Sequence, residues 1–178
     1  MENNRYEDVT EDVNDKLEDV RHRHFSWLKN ASIKVIFDTK KRVAGGQMVL
    51  GKIVKPNDLV DFFCEGYDYI IILDKVCWNN ITETDRERIM RHELRHVDYD
   101  IEDEKDPYKL VDHEITDFYD EVTLNQDDPR WKLRVVELTC AIYEQRAEEA
   151  RETKKPKKKI ASLTNMTITV NGKTPIEE

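Results

Sequence analysis

The feature that most constrains the fold is an apolar run, Tyr-Ile-Ile-Ile-Leu, at positions 69–73. Aspartates at positions 68 and 74 bound the run, and consecutive apolar side chains leave neither face of a strand polar. Such a run is typical of a strand inside a sheet that other elements cover on both sides. Two more β-rich segments, residues 32–37 and 47–54, predict further strands, the second after a turn at Gly45-Gly46.

The spacing of apolar residues predicts helices around these strands. They are expected over residues 5–29, 56–63, 83–99, 113–124 and 128–151. The helix over 83–99 has Thr82 as its predicted N-cap, with acidic Glu83 and Asp85 in the first turn. The predicted fold is therefore α+β, with a small mixed sheet packed against the helix over 83–99 and its flanking helices.

The chain is predicted to contain one main domain and a short tail. Residues 1–152 form the domain, residues 153–163 a basic linker, and residues 164–178 a C-terminal β-hairpin on an Asn-Gly turn. The net charge of −9 disfavours binding to a polyanion, since affinity for phosphates comes from clustered lysine and arginine. Only the basic run Lys154–Lys159 is suited to contact nucleic acid.

Composition also indicates where the protein works. Cys64, Cys77 and Cys140 are few and widely spaced, which is typical of reduced thiols in a cytoplasmic protein. The N-terminus is acidic and polar, unlike a signal peptide. No apolar run approaches the roughly 20 residues that a membrane span needs. We therefore expect a cytoplasmic protein with no membrane partner; the sequence does not indicate an oligomeric state.

The strongest chemical signal is His-Glu-Leu-Arg-His at positions 92–96. Two histidines four residues apart share a helix face, so His92 and His96 can bind one metal ion, with Zn²⁺ as the default. Glu93 need not bind the metal and can instead take a proton from a zinc-bound water. Glu93 also lies within an otherwise apolar helix stripe, where a carboxylate is costly to bury without a strong partner.

A catalytic zinc needs a third protein ligand and an open position for water. His113 is the one histidine further along the chain, and it lies where a loop enters a predicted helix. Glu114 and Asp117 are alternative ligands, and either could instead hold a ligand histidine by its second ring nitrogen. Asp100 could orient His96 in the same way. An extended motif with a later Gly and His is excluded, because Tyr99 and Glu102 occupy those positions.

These segments resemble the phage metallopeptidases, small zincin-like proteins related in pattern to SprT-like zinc peptidases. The resemblance rests on residues 49–53, 69–75, Trp78, 91–98 and 113–118, and it departs from the family pattern at Thr116 and Arg95. It implies His92, His96 and His113 as zinc ligands and Glu93 as catalytic base. It also implies a zincin-like fold and, if the chain is phage-encoded, a place in the host cytoplasm.

The sequence thus favours a zinc-dependent peptidase that hydrolyses a protein or peptide substrate. Tyr99, Tyr108 and Arg95 are candidates to stabilise the oxyanion, and a sheet edge is expected to bind the substrate as an added strand. Two alternatives stay open. One is a zinc-binding interaction or regulatory module without turnover. The other is a DNA-associated protease that uses the basic run beyond residue 153.

Overall fold

The computed structural model describes residues 4–63, 66–113 and 117–154. The strands are β1 (Tyr6–Asp8), β2 (Ile33–Asp38), β3 (Val43–Ala44), β4 (Gln47–Met48), β5 (Gly51–Val54), β6 (Tyr69–Asp74), β7 (Val97–Tyr99) and β8 (Tyr108–Leu110). The helices are α1 (Glu11–His24), α2 (Asp58–Phe63), α3 (Lys75–Asn80), α4 (Glu83–Arg95), α5 (Tyr119–Leu124) and α6 (Trp131–Lys154), with a 3₁₀ helix at Ser26–Asn30. None of the helices in this part of the chain is long and apolar enough to cross a bilayer.

A four-stranded mixed sheet, ordered β1-β2-β6-β5, forms the centre of the molecule, as the sequence predicts. The apolar run is its inner strand β6, which is parallel to β2 and antiparallel to β5. Tyr69, Ile71 and Leu73 are fully buried on one face. Ile70 and Ile72 on the other face are only half-buried, so the expected cover on both sides is complete on one side only.

The strand predicted over residues 47–54 is divided in two. Gly45 and Gly46 both have positive φ, 55° and 79°, and make the tight turn between β3 and β4. Because β4 pairs with β3 whereas β5 pairs with β6, the chain changes partner at Val49 and Leu50. This change brings Gly51 to the end of the sheet nearest α4.

The helix predicted over residues 5–29 is shorter in the structure. Residues 6–8 pair antiparallel with β2 as β1, so they cannot be helical, and α1 begins only after Thr10. Its buried face is made of Val13, Leu17 and Val20. This face belongs to the same core as Ile89, Met90 and Leu94 of α4, so α1 supports the helix that carries the histidine motif.

Helix α4 begins as predicted but ends earlier. Thr82 Oγ1 accepts a hydrogen bond from the Asp85 amide (3.2 Å), which caps the first turn. The helix stops at Arg95, and residues 97–99 form β7 instead of the predicted last turn. The cause is a hairpin that the sequence did not indicate, in which Val97 pairs with Leu110 and Tyr99 with Tyr108.

The helix predicted over residues 113–124 is also shorter, since α5 spans only Tyr119–Leu124. Of its expected apolar face, Phe118 is buried against the rings of the three histidines, whereas Tyr119 and Val122 are exposed. Glu121 is also fully buried, and both of its carboxylate oxygens accept hydrogen bonds from Arg91 Nε of α4 at 2.9 Å. An ion pair and the Phe118 ring together hold α5 on α4.

The predicted tail lies mostly beyond the residues that the structure describes. Helix α6 runs to Lys154, so the first two residues of the predicted linker are helical. The rest of the basic run and the predicted hairpin over 164–178 lie outside the described residues, as do Cys64, Glu114 and Thr116.

Candidate metal centre

Three histidines from two separate segments converge beside α4. His92 and His96 are contributed by the last turn of α4 and its C-cap, and His113 follows β8 in an extended segment. One nitrogen of each ring lies within 4.8 Å of the others. Nε2 of His113 is 3.1 Å from Nε2 of His92. The predicted ligand nitrogens therefore meet at one point, a suitable donor set for a transition-metal ion.

A backbone carbonyl orients the second of these rings. Nδ1 of His96 is 2.8 Å from the carbonyl oxygen of Val111. A carbonyl oxygen can only accept a hydrogen bond, so Nδ1 carries the proton and Nε2 keeps its lone pair. Asp100, which was expected to be a possible partner of His96, instead accepts a hydrogen bond from the Glu102 amide. The loop that carries Asp100 is held by its own backbone turn.

An acid and a base orient the first ring. Nδ1 of His92 is 3.1 Å from Oδ1 of Asp117, while Oδ2 of Asp117 lies 2.6 Å from Nζ of Lys132. Lys132 Nζ is also 3.2 Å from the same Nδ1. One ring nitrogen cannot donate to a carboxylate and accept from a lysine ammonium at the same time. Because the carboxylate can only accept, we place a proton on Nδ1, which donates it to Asp117. His92 thus turns Nε2 toward the other two histidines.

Burial favours the neutral imidazole at His92 and at His113. It lowers the pKa of His92 to about 4, an effect that the hydrogen bond to Asp117 only partly opposes. Burial also lowers the pKa of His113, assisted by the neighbouring His96 and Lys132. For Asp117, burial favours a higher pKa, but the hydrogen bonds from His92 and Lys132 together hold the pKa well below its ordinary value. Neutral rings and an ionised carboxylate are the protonation states that metal binding requires.

Glu93 lies beside the histidines without being part of their cluster. Its side chain is buried, and burial raises the pKa of Glu93 to about 7, while the charge of Lys132 and a backbone hydrogen bond from Ile53 act to lower it. A β-carbon placed on Gly51 would lie 2.7 Å from Oε1 of Glu93. Gly51 is therefore the residue that leaves space for this carboxylate, which is poised to exchange a proton near neutral pH.

Two cavities meet beside Glu93 and the histidines. One, of about 280 Å³, lies between β5 and the segment from Leu110 to His113. The other, of about 290 Å³, lies between the start of β5 and the first turns of α6. Gly51, His92, Glu93 and His113 border both cavities. A ligand that crosses from one cavity to the other therefore passes directly over the histidines and the carboxylate.

Strand β5 forms one wall of this path and is the end strand of the sheet. Asp74 N donates to Leu50 O at 2.9 Å, and hydrogen-bonded pairs alternate along an antiparallel ladder. Lys52, which lies opposite Ile72, is therefore the next residue along β5 whose backbone groups hydrogen-bond to β6. Gly51 and Ile53 therefore turn their backbone groups toward the outer edge, with which no other described strand pairs, and the Ile53 amide bonds Glu93 there.

The other sequence candidates lie elsewhere. The Tyr108 hydroxyl donates to Trp27 O, Tyr99 packs on the Tyr108 ring, and Arg95 pairs with Asp120. None of Tyr99, Tyr108 and Arg95 borders either cavity. Sequence reasoning did not identify Lys132 or Gly51. Gly51 lies within the segment 49–53 on which the resemblance rests, but nothing there pointed to its role, since each of the two residues acts through a contact with a residue about 40 positions away in the chain.

The chain is similar to a described protein family. The model of the family described as "Putative phage metallopeptidase" matches residues 1–143, which include every described residue of the site. No curated protein and no solved structure matches the chain significantly. The match extends over most of the 178 residues. The chain belongs to the phage metallopeptidase family.

Proposed function

We propose that the protein is a zinc-dependent peptidase of the zincin type. The observation that carries this proposal is the convergence of His92, His96 and His113 next to a buried carboxylate, Glu93, beside a free strand edge. Three imidazoles fit zinc, and a three-ligand site leaves a position for water. A zinc ion bound there would polarise the scissile carbonyl and lower the pKa of a coordinated water.

Glu93 is proposed to move the proton. It accepts a proton from the water as that water attacks the scissile carbonyl carbon, and it delivers the proton to the nitrogen of the leaving amine when the C–N bond breaks. A pKa of about 7 suits both transfers, since the carboxylate then accepts and releases a proton with little cost near neutral pH. A purely structural metal site has no use for such a group, which favours turnover over an interaction module.

The free edge of β5 is proposed to hold the substrate backbone. An extended peptide would pair antiparallel with β5, using the outward backbone groups of Gly51 and the outward carbonyl of Ile53, since the Ile53 amide already bonds Glu93. This pairing places one peptide bond beside Glu93 and the three histidines. Backbone hydrogen bonds of this kind would position the scissile peptide bond without requiring a particular side chain in the substrate.

Metal content and hydrolysis test the proposal together. We would measure zinc per chain by elemental analysis for wild type, His113→Ala and Glu93→Gln, and then follow casein digestion. We expect one zinc in wild type and in Glu93→Gln, a marked loss in His113→Ala, and digestion by wild type alone. Wild type that binds no stoichiometric metal even when zinc is supplied would refute the metal site. A zinc-loaded wild type no faster than Glu93→Gln on any peptide would support the module without turnover.

A further inference from the structure

The three candidate ligand rings differ in what fixes their orientation. A histidine binds a metal ion only along the lone pair of one ring nitrogen, so the rotation of each ring matters. Nδ1 of His92 meets Asp117, and Nδ1 of His96 meets the carbonyl oxygen of Val111. His113 turns Nε2 toward His92 at 3.1 Å, but its other ring nitrogen has no hydrogen-bond partner in the described part of the chain. Packing of the ring is therefore the contact that can orient it.

The aromatic side chain of Phe118 packs against the His113 ring. The two ring centroids are 4.8 Å apart, and the ring planes meet at 78°. Aromatic pairs favour this edge-to-face arrangement, which contributes stability beyond the burial of apolar surface. The Phe118 centroid is also 4.8 Å from that of His96 and 5.5 Å from that of His92. One benzene ring thus packs against all three imidazoles, and only His113 relies on it without a hydrogen bond of its own.

Phe118 can orient another ring because its own position is fixed. Its side chain is buried, and it is the N-cap residue of α5. Its amide donates to Oδ1 of Asp117 at 2.9 Å, and the Arg91–Glu121 pair holds α5 on α4. Phe118 borders neither cavity, so it is placed to act on the ligand rings and not on a bound substrate.

We infer that Phe118 is the positioning residue of the third metal ligand. Its ring holds the His113 imidazole with Nε2 toward the other two ligand rings, a task that hydrogen bonds perform for those two. The inference rests on the proposed function, because it concerns the ligands of the same metal centre. A ring that is already oriented loses less freedom when it binds a metal ion. Zinc affinity should therefore depend on the benzene ring at position 118, and not only on apolar volume there.

Nuclear magnetic resonance of the metal-free wild type gives a test that needs no variant. We expect one sharp set of ring signals for His113, with nuclear Overhauser contacts between its carbon-bound ring protons and those of Phe118. Ring signals broadened by exchange, or the absence of these contacts, would overturn the inference. Since neither zinc nor substrate is present, this result does not depend on turnover.

A variant then measures the effect on metal binding. Phe118→Leu removes the benzene ring and keeps most of the apolar volume. The matched control is Phe25→Leu, because Phe25 is a fully buried core phenylalanine outside the histidine cluster. In competition with a chelator, we expect Phe118→Leu to bind zinc about 10-fold more weakly than wild type and Phe25→Leu to bind it equally well. Metal-free Phe118→Leu should show broadened His113 ring signals. The signals of His92 and His96 should stay sharp, because their hydrogen bonds remain.

The outcomes separate this inference from the proposed function. Equal zinc affinities in the three proteins would overturn the role of Phe118 and leave the metal site standing. Equal broadening of all three histidine rings would also overturn it, because Phe118 would then support the fold in general. If Phe118→Leu did not fold, the wild-type ring contacts would decide. Wild type that binds no zinc would refute the proposed function and, with it, the role of Phe118 in metal binding.

Discussion

Asp117 Oδ1 lies 3.1 Å from Nδ1 of His92, on the opposite side of the ring from the nitrogen that faces His113. A carboxylate in this position fixes the tautomer and rotation of a ligand histidine and increases its basicity. We expect Asp117→Ala to weaken zinc binding by about 10- to 100-fold while the fold persists. Competition with a chromophoric chelator measures this affinity. Asp120→Ala, which removes an exposed carboxylate two residues from α5's N-cap, should bind zinc like wild type; equal affinities in all three proteins would contradict the role of Asp117.

Lys132 is expected to set the pH range of activity. Burial raises the pKa of Glu93, whereas the Lys132 charge lowers it, so removing that charge moves the pKa further up. As the pH falls, a base with a higher pKa becomes protonated, and therefore inactive, at a higher pH. The acidic limb of the kcat/KM profile should therefore shift to higher pH in Lys132→Met. Lys132→Arg keeps the charge and should leave the limb near its wild-type position; a shift to lower pH in Lys132→Met would contradict the assignment.

The sequence predicted those parts of the fold and site that short-range patterns encode. Strand β6 and the start of α4 follow from an apolar run and from a Thr82 cap, both of which are local signals. The meeting of His113 with His92 was expected from metal-ligand chemistry, from the place of His113 at a predicted helix start, and from resemblance. The helix predicted around His113 was wrong in extent, because the pairing of β7 with β8 and the hydrogen bond from Val111 N to His96 O keep residues 111–113 out of a helix.

Lys132, Gly51 and the buried Glu121 could not be predicted for a different reason. The role of each depends on a contact made across the fold, which neither its neighbours in the sequence nor, for Gly51, the matching segment 49–53 reveals. Tyr119 and Val122 suggested an apolar helix face, whereas the residue that α5 buries is Glu121. A buried charge is recognisable only with its partner, and Arg91 is 30 residues away.

Gly51 is expected to be essential for catalysis rather than for metal binding. A β-carbon there would lie 2.7 Å from Oε1 and 3.1 Å from Cδ of Glu93, so the carboxylate must move in Gly51→Ala. Misplacement of a catalytic group by about 1 Å costs roughly 100-fold in rate. We expect kcat/KM to fall by about that factor with zinc content unchanged. Lys52→Ala, on the same strand, should retain activity within a few-fold; a Gly51→Ala enzyme as active as Lys52→Ala would refute the spatial argument.

The buried Arg91–Glu121 pair is expected to show strong energetic coupling. Glu121→Leu leaves the buried Arg91 charge with weaker partners, the Asn125 amide oxygen and Glu87 at 3.9 Å, so it should lower the free energy of unfolding by about 3–5 kcal/mol. The double variant Arg91→Met/Glu121→Leu removes both charges and should recover most of the loss. Urea denaturation of the metal-free proteins measures these values. Asp120→Leu, at an exposed ion pair, should change stability by less than about 1 kcal/mol. A double variant as unstable as the sum of its single variants would contradict the coupling.

His96 and Val111 are bound to each other twice. The Val111 amide donates to His96 O at 2.8 Å, and His96 Nδ1 meets Val111 O at the same distance. This double contact at the base of the β7–β8 hairpin sets the position of His113, two residues further on. We therefore expect related proteins to tolerate insertions and deletions at the tip, residues 100–107, while keeping the same three nitrogens together. A sequence-search pattern with a fixed spacing between the second and third histidines would overlook such relatives. The tip is also a suitable place to insert a reporter peptide.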